Sequence, residues 1–164
     1  MSATFLEDFR NPPQTALTFS VPPGDWARRL VWFVGVSHAV NHFVMLIFPA
    51  VLLLVQQEFS LGYARLGILA NVALLCYGIG ALPAGMLADR LGGERLLVAW
   101  LLGGSLACIG IGLSRGQLSL GVGLAALGSF ASLHHPAGSG VLVSLRSLRG
   151  LDLGQAFGRV GVLG

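Results

Sequence analysis

The chain has 164 residues, with ten arginines, no lysine and seven acidic residues, so 10 % are charged where an average soluble domain carries roughly a quarter. Hydrophobic types make up 54 % and the mean hydropathy is +0.78. That composition excludes a soluble globular enzyme, a disordered chain and, with a net charge of only +3, a nucleic-acid partner.

Residues 1–29 are expected to form a polar cytoplasmic tail. They hold Glu7, Asp8, Arg10, Asp25, Arg28 and Arg29, punctuated by Pro12, Pro13, Pro22 and Pro23. No apolar core with a small-residue cleavage site follows early enough for a secretory signal.

The remainder, 30–164, is expected to be a transmembrane domain. No Asp, Glu, Lys or Arg occurs in the 28 residues between Arg29 and Glu58, the 23 between Arg65 and Asp89, the 19 between Arg95 and Arg115 or the 30 between Arg115 and Arg146. A membrane-spanning helix needs about 20 mostly apolar residues. The four windows predict four transmembrane helices at about Leu30–Val55, Ala64–Leu87, Leu96–Ser114 and Leu118–Leu145. Leu153 to Gly164 reads as the start of a fifth, cut in mid-element, which points to a fragment. The fold class expected is all-α, a polytopic membrane helical bundle. Four buried helices of a soluble particle would leave too few charges to keep it in water.

Orientation follows from arginine. The tail, the second connection and the fourth connection hold Arg10, Arg28, Arg29, Arg90, Arg95, Arg146 and Arg149, against Arg65 and Arg115 in the first and third. The positive-inside rule puts the N-terminus in the cytoplasm. The expected location is a bacterial inner membrane, with the lipid bilayer as the main partner.

Small residues recur every four positions at Gly104, Cys108 and Gly112, and at Gly121, Ala125 and Ser129. Such stripes let helix backbones approach closely. The two cysteines, Cys76 and Cys108, lie in apolar runs with no CxxC spacing and no disulfide framework.

Polar side chains inside a span are costly and normally face a cavity or a partner. Ser37, His38, Asn41 and His42 lie in the first window, and His38 and His42, four apart, share a helix face that Met45 and Pro49 continue. His134 and His135 lie in the fourth, about 100° apart on a helix, so that only one is expected to face the same cavity as the first helix. Pro136 removes a donor and frees the Ser132 carbonyl, predicting a kink. His38, Asn41, His42, His134 and His135 are therefore candidates for a substrate or proton pathway. Histidine titrates near neutral pH and can carry a coupling proton. The other reading is interhelical hydrogen bonding that only fixes packing. An i, i+4 histidine pair plus one from the fourth helix has the geometry for a metal or haem. No carboxylate or thiolate accompanies it, so neither metal nor cofactor is expected. No Ser/His/Asp set, phosphate loop or carboxylate pair can be assembled, so no catalytic residues and no enzyme are expected.

Between the second and third windows runs Gly85-Met86-Leu87-Ala88-Asp89-Arg90-Leu91-Gly92-Gly93-Glu94-Arg95. Gly85 would let a helix approach its neighbour, Gly92 and Gly93 would allow positive φ, and Asp89 could pair with an arginine or a helix N-terminus. In this position the pattern resembles the signature loop of the major facilitator superfamily of transporters. His134-His135-Pro136-Ala137-Gly138 and the polar first helix resemble its fosmidomycin-resistance-like branch. The family pattern continues after Gly92 with two basic residues. Here Gly93 and Glu94 stand there, and the base is displaced to Arg95.

The resemblance covers about residues 28–164. It implies four helices and part of a fifth from a six-helix half. The function it implies is a secondary active transporter that moves a small-molecule solute by alternating access, drug or antibiotic efflux being one such activity. Gly85, Asp89, Arg90, Gly92 and Arg95 would then form a conformational-gating loop against a second half. The alternative is an accessory membrane subunit packed on a larger membrane complex.

Overall fold

In a computed structural model, placement is described for residues 25–149 and 152–163. Most of the expected tail (1–24), Gly150, Leu151 and Gly164 lie outside the described residues. The structure is all-helical, 90 % helix with no strand among the described residues. The helices are α1 (Trp26–Ala50), α2 (Leu52–Glu58), α3 (Tyr63–Leu91), α4 (Gly93–Gly112), α5 (Gln117–Ala131), α6 (His134–Arg149) and α7 (Leu153–Leu163).

Three of these, α1, α3 and α4, are long and apolar enough to cross a membrane. Their outer faces carry large uncovered side chains, among them Leu74, Leu75, Ile79, Leu82 and Met86 on α3. Soluble monomers rarely expose a continuous apolar surface of that kind. Together these features point to an integral membrane protein.

The expected helix boundaries shift in two informative places. The first window is not one helix over 30–55. α1 begins at Trp26, taking residues 26–29 out of the tail, and Arg28 pairs with Asp25 at 2.9 Å across its first turn. It ends at Ala50, one residue after Pro49, and Val51 turns the chain into the short α2. Proline cannot donate to the carbonyl four residues back, so the ladder weakens there.

The fourth window, expected as one kinked helix over 118–145, is two helices. α5 closes with Ser132 N–H donating to Gly128 O (3.0 Å) and Leu133 N–H donating to Phe130 O (3.1 Å). α6 starts at His134, placing Pro136 in its first turn, where a missing N–H costs no helical bond. At 15 and 16 residues, each piece is too short to span about 30 Å alone.

Three apolar clusters join the helices. Val31, Val34, Leu97, Leu142 and Val160 knit α1, α4, α6 and α7. Phe48, Leu69, Ala73 and Leu124 knit α1, α3 and α5. Trp100, Ala107, Leu127 and Ala131 join α4 to α5 between them. In lipid such contacts act through van der Waals packing, which rewards small residues at crossings.

The expected stripes account for only part of the crossings: Gly104 is buried, with the Trp100 ring where a Cβ would stand, and Cys108 packs against the cluster joining α4 to α5. A Cβ on Gly128 would strike the Ala73 carbonyl of α3, and one on Gly103 would strike the Phe130 ring. Of the expected positions, Gly112 faces open space, Ser129 is exposed, and Gly121 only touches Leu69 at 3.3 Å from an added Cβ. The buried face of α5 is one step round the helix, through Gly123, Leu127 and Gly128.

The turns gather at two ends. Trp26 and Leu30, the α3–α4 turn from Arg90 to Arg95, and Ser144 and Leu145 surround one crevice of about 450 Å³. Val51, Glu58 and Phe59 meet Gly112 and Ser114 around another, of about 250 Å³. The two are separated by the length of α4, about 30 Å for 20 residues. Arg90 and Arg115 thus flank opposite ends of that helix.

Candidate functional site

The polar residues of α1 and α6 come together. Asn41 is 1 % exposed and His134 2 %. His38 and His42 share a face one turn apart, and their Nε2 atoms are 3.0 Å apart. His38 Nδ1 lies 3.2 Å from the Val160 carbonyl of α7. A carbonyl only accepts, so Nδ1 carries a proton, and the neutral tautomer that fits this bond has its lone pair on Nε2. The proton between the two rings then belongs to His42, whose Nε2–H donates to His38.

His134 stacks nearly parallel on His38, with ring centroids 5.5 Å apart and planes 10° apart, and its Nδ1 hydrogen-bonds Ser37 Oγ at 3.2 Å. His135 meets His38 edge-on at 5.2 Å and also stands 6.0 Å from His42. Only one of the adjacent histidines was expected to reach the α1 face; both do. They straddle His38 instead of following each other round α6, because the helix begins at His134 and passes close to α1. Gly138, one turn on, packs against Val34, where an added Cβ would sit 3.2 Å from Cγ1.

The ligand-capable nitrogens of His38, His42 and His135 all lie within 4.8 Å of one another. Their convergence across two helices was outside what one helix's spacing shows. Beneath them is a mainly apolar cavity of about 250 Å³, walled by Asn41, His42, Met45, Pro49, Tyr77 and Leu124. Met45 and Pro49 do continue the histidine face of α1, as the spacing predicts. The Asn41 Oδ1 atom is buried with no hydrogen-bond partner among the described residues. Tyr77 of α3, whose ring centroid is 6.1 Å from that of His135, belongs to the site but was not among the expected residues. Its signal was a phenol in an otherwise apolar run. The Val160 carbonyl had none, being backbone.

The loop residues sit at the far end of the bundle from this cavity's apolar floor. Gly92 has φ +87° and ψ 147°, so the turn between α3 and α4 rests on glycine. Gly93 does not share the positive φ. It serves close packing instead, since a Cβ there would strike the Ala137 carbonyl of α6. Gly85 was expected to admit a neighbour, but nothing lies within 4 Å of an added Cβ. Asp89, Arg90 and Arg95 are exposed, and among the described residues none of them takes part in an ion pair. Arg90, Gly92 and Arg95 line the crevice shared with Trp26 and Ser144.

No protein family, no curated protein and no solved structure matches the chain.

Proposed function

We propose that this chain is part of a secondary transporter of major-facilitator type, moving a small solute across the membrane by alternating access. The observation that carries the reading is the meeting of four histidines from α1 and α6 beside a cavity, in a bundle whose outer faces are apolar. Ionisable groups at such a place are expensive unless they serve a pathway. Transporter sites of this class are typically built at interrupted helices, where freed backbone lines a cavity. The break at Ser132–Leu133, directly before His134, has that form.

In this reading His38, Asn41, His42, His134 and His135 face solute or a coupling proton, and Pro136 holds the break. Gly85, Asp89, Arg90, Gly92 and Arg95 form the gating loop. Its exposed charges and the open space beside Gly85 leave room for a second set of helices to dock and separate. The tail side faces the cytoplasm of a bacterial inner membrane, on the arginine asymmetry. The chain is not an enzyme in this account.

The test is efflux of a panel of fluorescent dyes and antibiotics from a hypersensitive host expressing the full reading frame that carries this chain. Energy-dependent efflux that falls at least tenfold in the His38→Ala, His135→Ala double variant is the expected result. Absence of efflux for every compound, or efflux unaffected by the double variant, contradicts the proposal.

A further inference from the structure

We propose that His38, His42 and His135 form a binding site for one borderline transition-metal ion, of the Zn2+ or Co2+ kind. The inference uses the same polar cluster as the transport reading but does not require solute movement. Equilibrium binding tests it and efflux tests the other, so each can fail alone.

Three features carry it. The first is donor geometry: three imidazole nitrogens from two helices lie within 4.8 Å of one another. Zn–N bonds of about 2.0–2.1 Å in a tetrahedron put neighbouring nitrogens roughly 3.3 Å apart. His38 and His42 are already at 3.0 Å. His135 is exposed and closes the remaining gap by a turn of its ring.

The second is the state of His38. A ligating histidine normally donates its other ring N–H to a carbonyl or carboxylate, which fixes the ligating tautomer. His38 does this through Nδ1 to Val160 O at 3.2 Å, leaving the Nε2 lone pair aimed at His42. The hydrogen that His42 shares with it moves to His42 Nδ1 when an ion takes its place.

The third is access. His42 is both a member of the triad and part of the cavity wall, next to Asn41, whose buried Oδ1 has no partner among the described residues. An ion can enter from that cavity, and the exposed side of His135 leaves a fourth position for a water or a small anion.

Ligand type sets the metal class. Imidazole suits Zn, Cu, Ni and Co-like ions, whereas Mg2+ and Ca2+ need oxygen ligands, which this triad does not offer. Three neutral donors leave the ion's charge uncompensated. An anion in the fourth position lowers that cost, so binding is expected to strengthen in the presence of azide.

The experiment is Co2+ titration of the tag-free chain in detergent, read by visible d–d absorption, with Zn2+ competition. One Co2+ per chain with a tetrahedral-type band, bleached by Zn2+, is the expected result. The Cys76→Ser, Cys108→Ser double variant keeps the band. Each of His38→Gln, His42→Gln and His135→Gln weakens binding by more than about tenfold, since even an outer partner of a ligand is typically worth that much. Absence of a d–d band at saturating Co2+, or its retention in the His42→Gln, His135→Gln double variant, overturns the site. The variants' folding does not decide the matter alone. Cu2+ electron paramagnetic resonance of the wild-type chain is expected to show nitrogen hyperfine coupling, and an oxygen-only or thiolate spectrum overturns it.

Discussion

Ser37 on α1 and His134 on α6 are 97 residues apart in sequence, yet their side chains hydrogen-bond at 3.2 Å in a part of the bundle where both are almost fully covered. This bond fixes the start of α6 against α1 and so sets where the rings of His134 and His135 stand. Interhelical hydrogen bonds in membranes average about 0.6 kcal/mol and reach about 1.7. Ser37→Ala also leaves a covered ring nitrogen without its partner. The expected loss is therefore about 1 kcal/mol of unfolding free energy in mixed micelles. An unchanged unfolding midpoint would mean that the bond does not hold the two helices.

The α3–α4 turn makes a paired prediction. Gly92 adopts φ +87° with ψ 147°, a region essentially restricted to glycine, and a side chain there costs about 1–3 kcal/mol. Gly85 lies inside α3 with nothing within 4 Å of an added Cβ, and alanine there gains up to about 1 kcal/mol of helix propensity. Gly92→Ala is expected to lower thermal stability in detergent, and Gly85→Ala to keep or raise it. If the proposed second half docks against this face, Gly85→Ala is expected to impair efflux without loss of stability, because the added methyl would stand in the docking surface.

The contact between α3 and α5 rests on Gly128, whose added Cβ would collide with the Ala73 backbone carbonyl. Backbone cannot swing aside as a side-chain tip can, so the helices must separate. Gly128→Leu is expected to destabilise by about 3 kcal/mol, the upper end of the usual cost of overpacking. Gly110→Leu, on α4 with open space around it, is expected to be nearly neutral. Thermal unfolding of the two variants side by side checks this, and equal effects would contradict it.

Much of this architecture was legible in the pattern of charge. The intervals free of Asp, Glu and Arg mark α3 and α4 to within a few residues, because lipid tolerates charge only at helix ends, while the first interval runs through the end of α1 at Ala50 and on into α2. The break at Ser132–Leu133 was not legible from hydropathy, since the apolar run continues through it. Pro136 was the local signal, but proline four residues after a carbonyl is compatible with a kink as well as with a fresh start. The i, i+4 spacing correctly put His38 and His42 together. Their meeting with both His134 and His135 depends on how closely α6 passes α1, a tertiary quantity absent from any single helix. The expected small-residue stripes held at Gly104 and Cys108 but not at Gly112 or Ser129 for a related reason: spacing finds a face, while the partner helix decides how much of it is used.

In an integral membrane protein, lipid surrounds α1, α3 and α4 and their ends lie on opposite sides of the bilayer. The most direct measurement is labelling of Arg90→Cys and Arg115→Cys, each made in a Cys76→Ala, Cys108→Ala background, with a membrane-impermeant maleimide in sealed vesicles of known orientation. These residues flank opposite ends of α4. Position 90 is expected to react only from the cytoplasmic side and position 115 only from the other. Reaction of both positions from the same side would contradict the account.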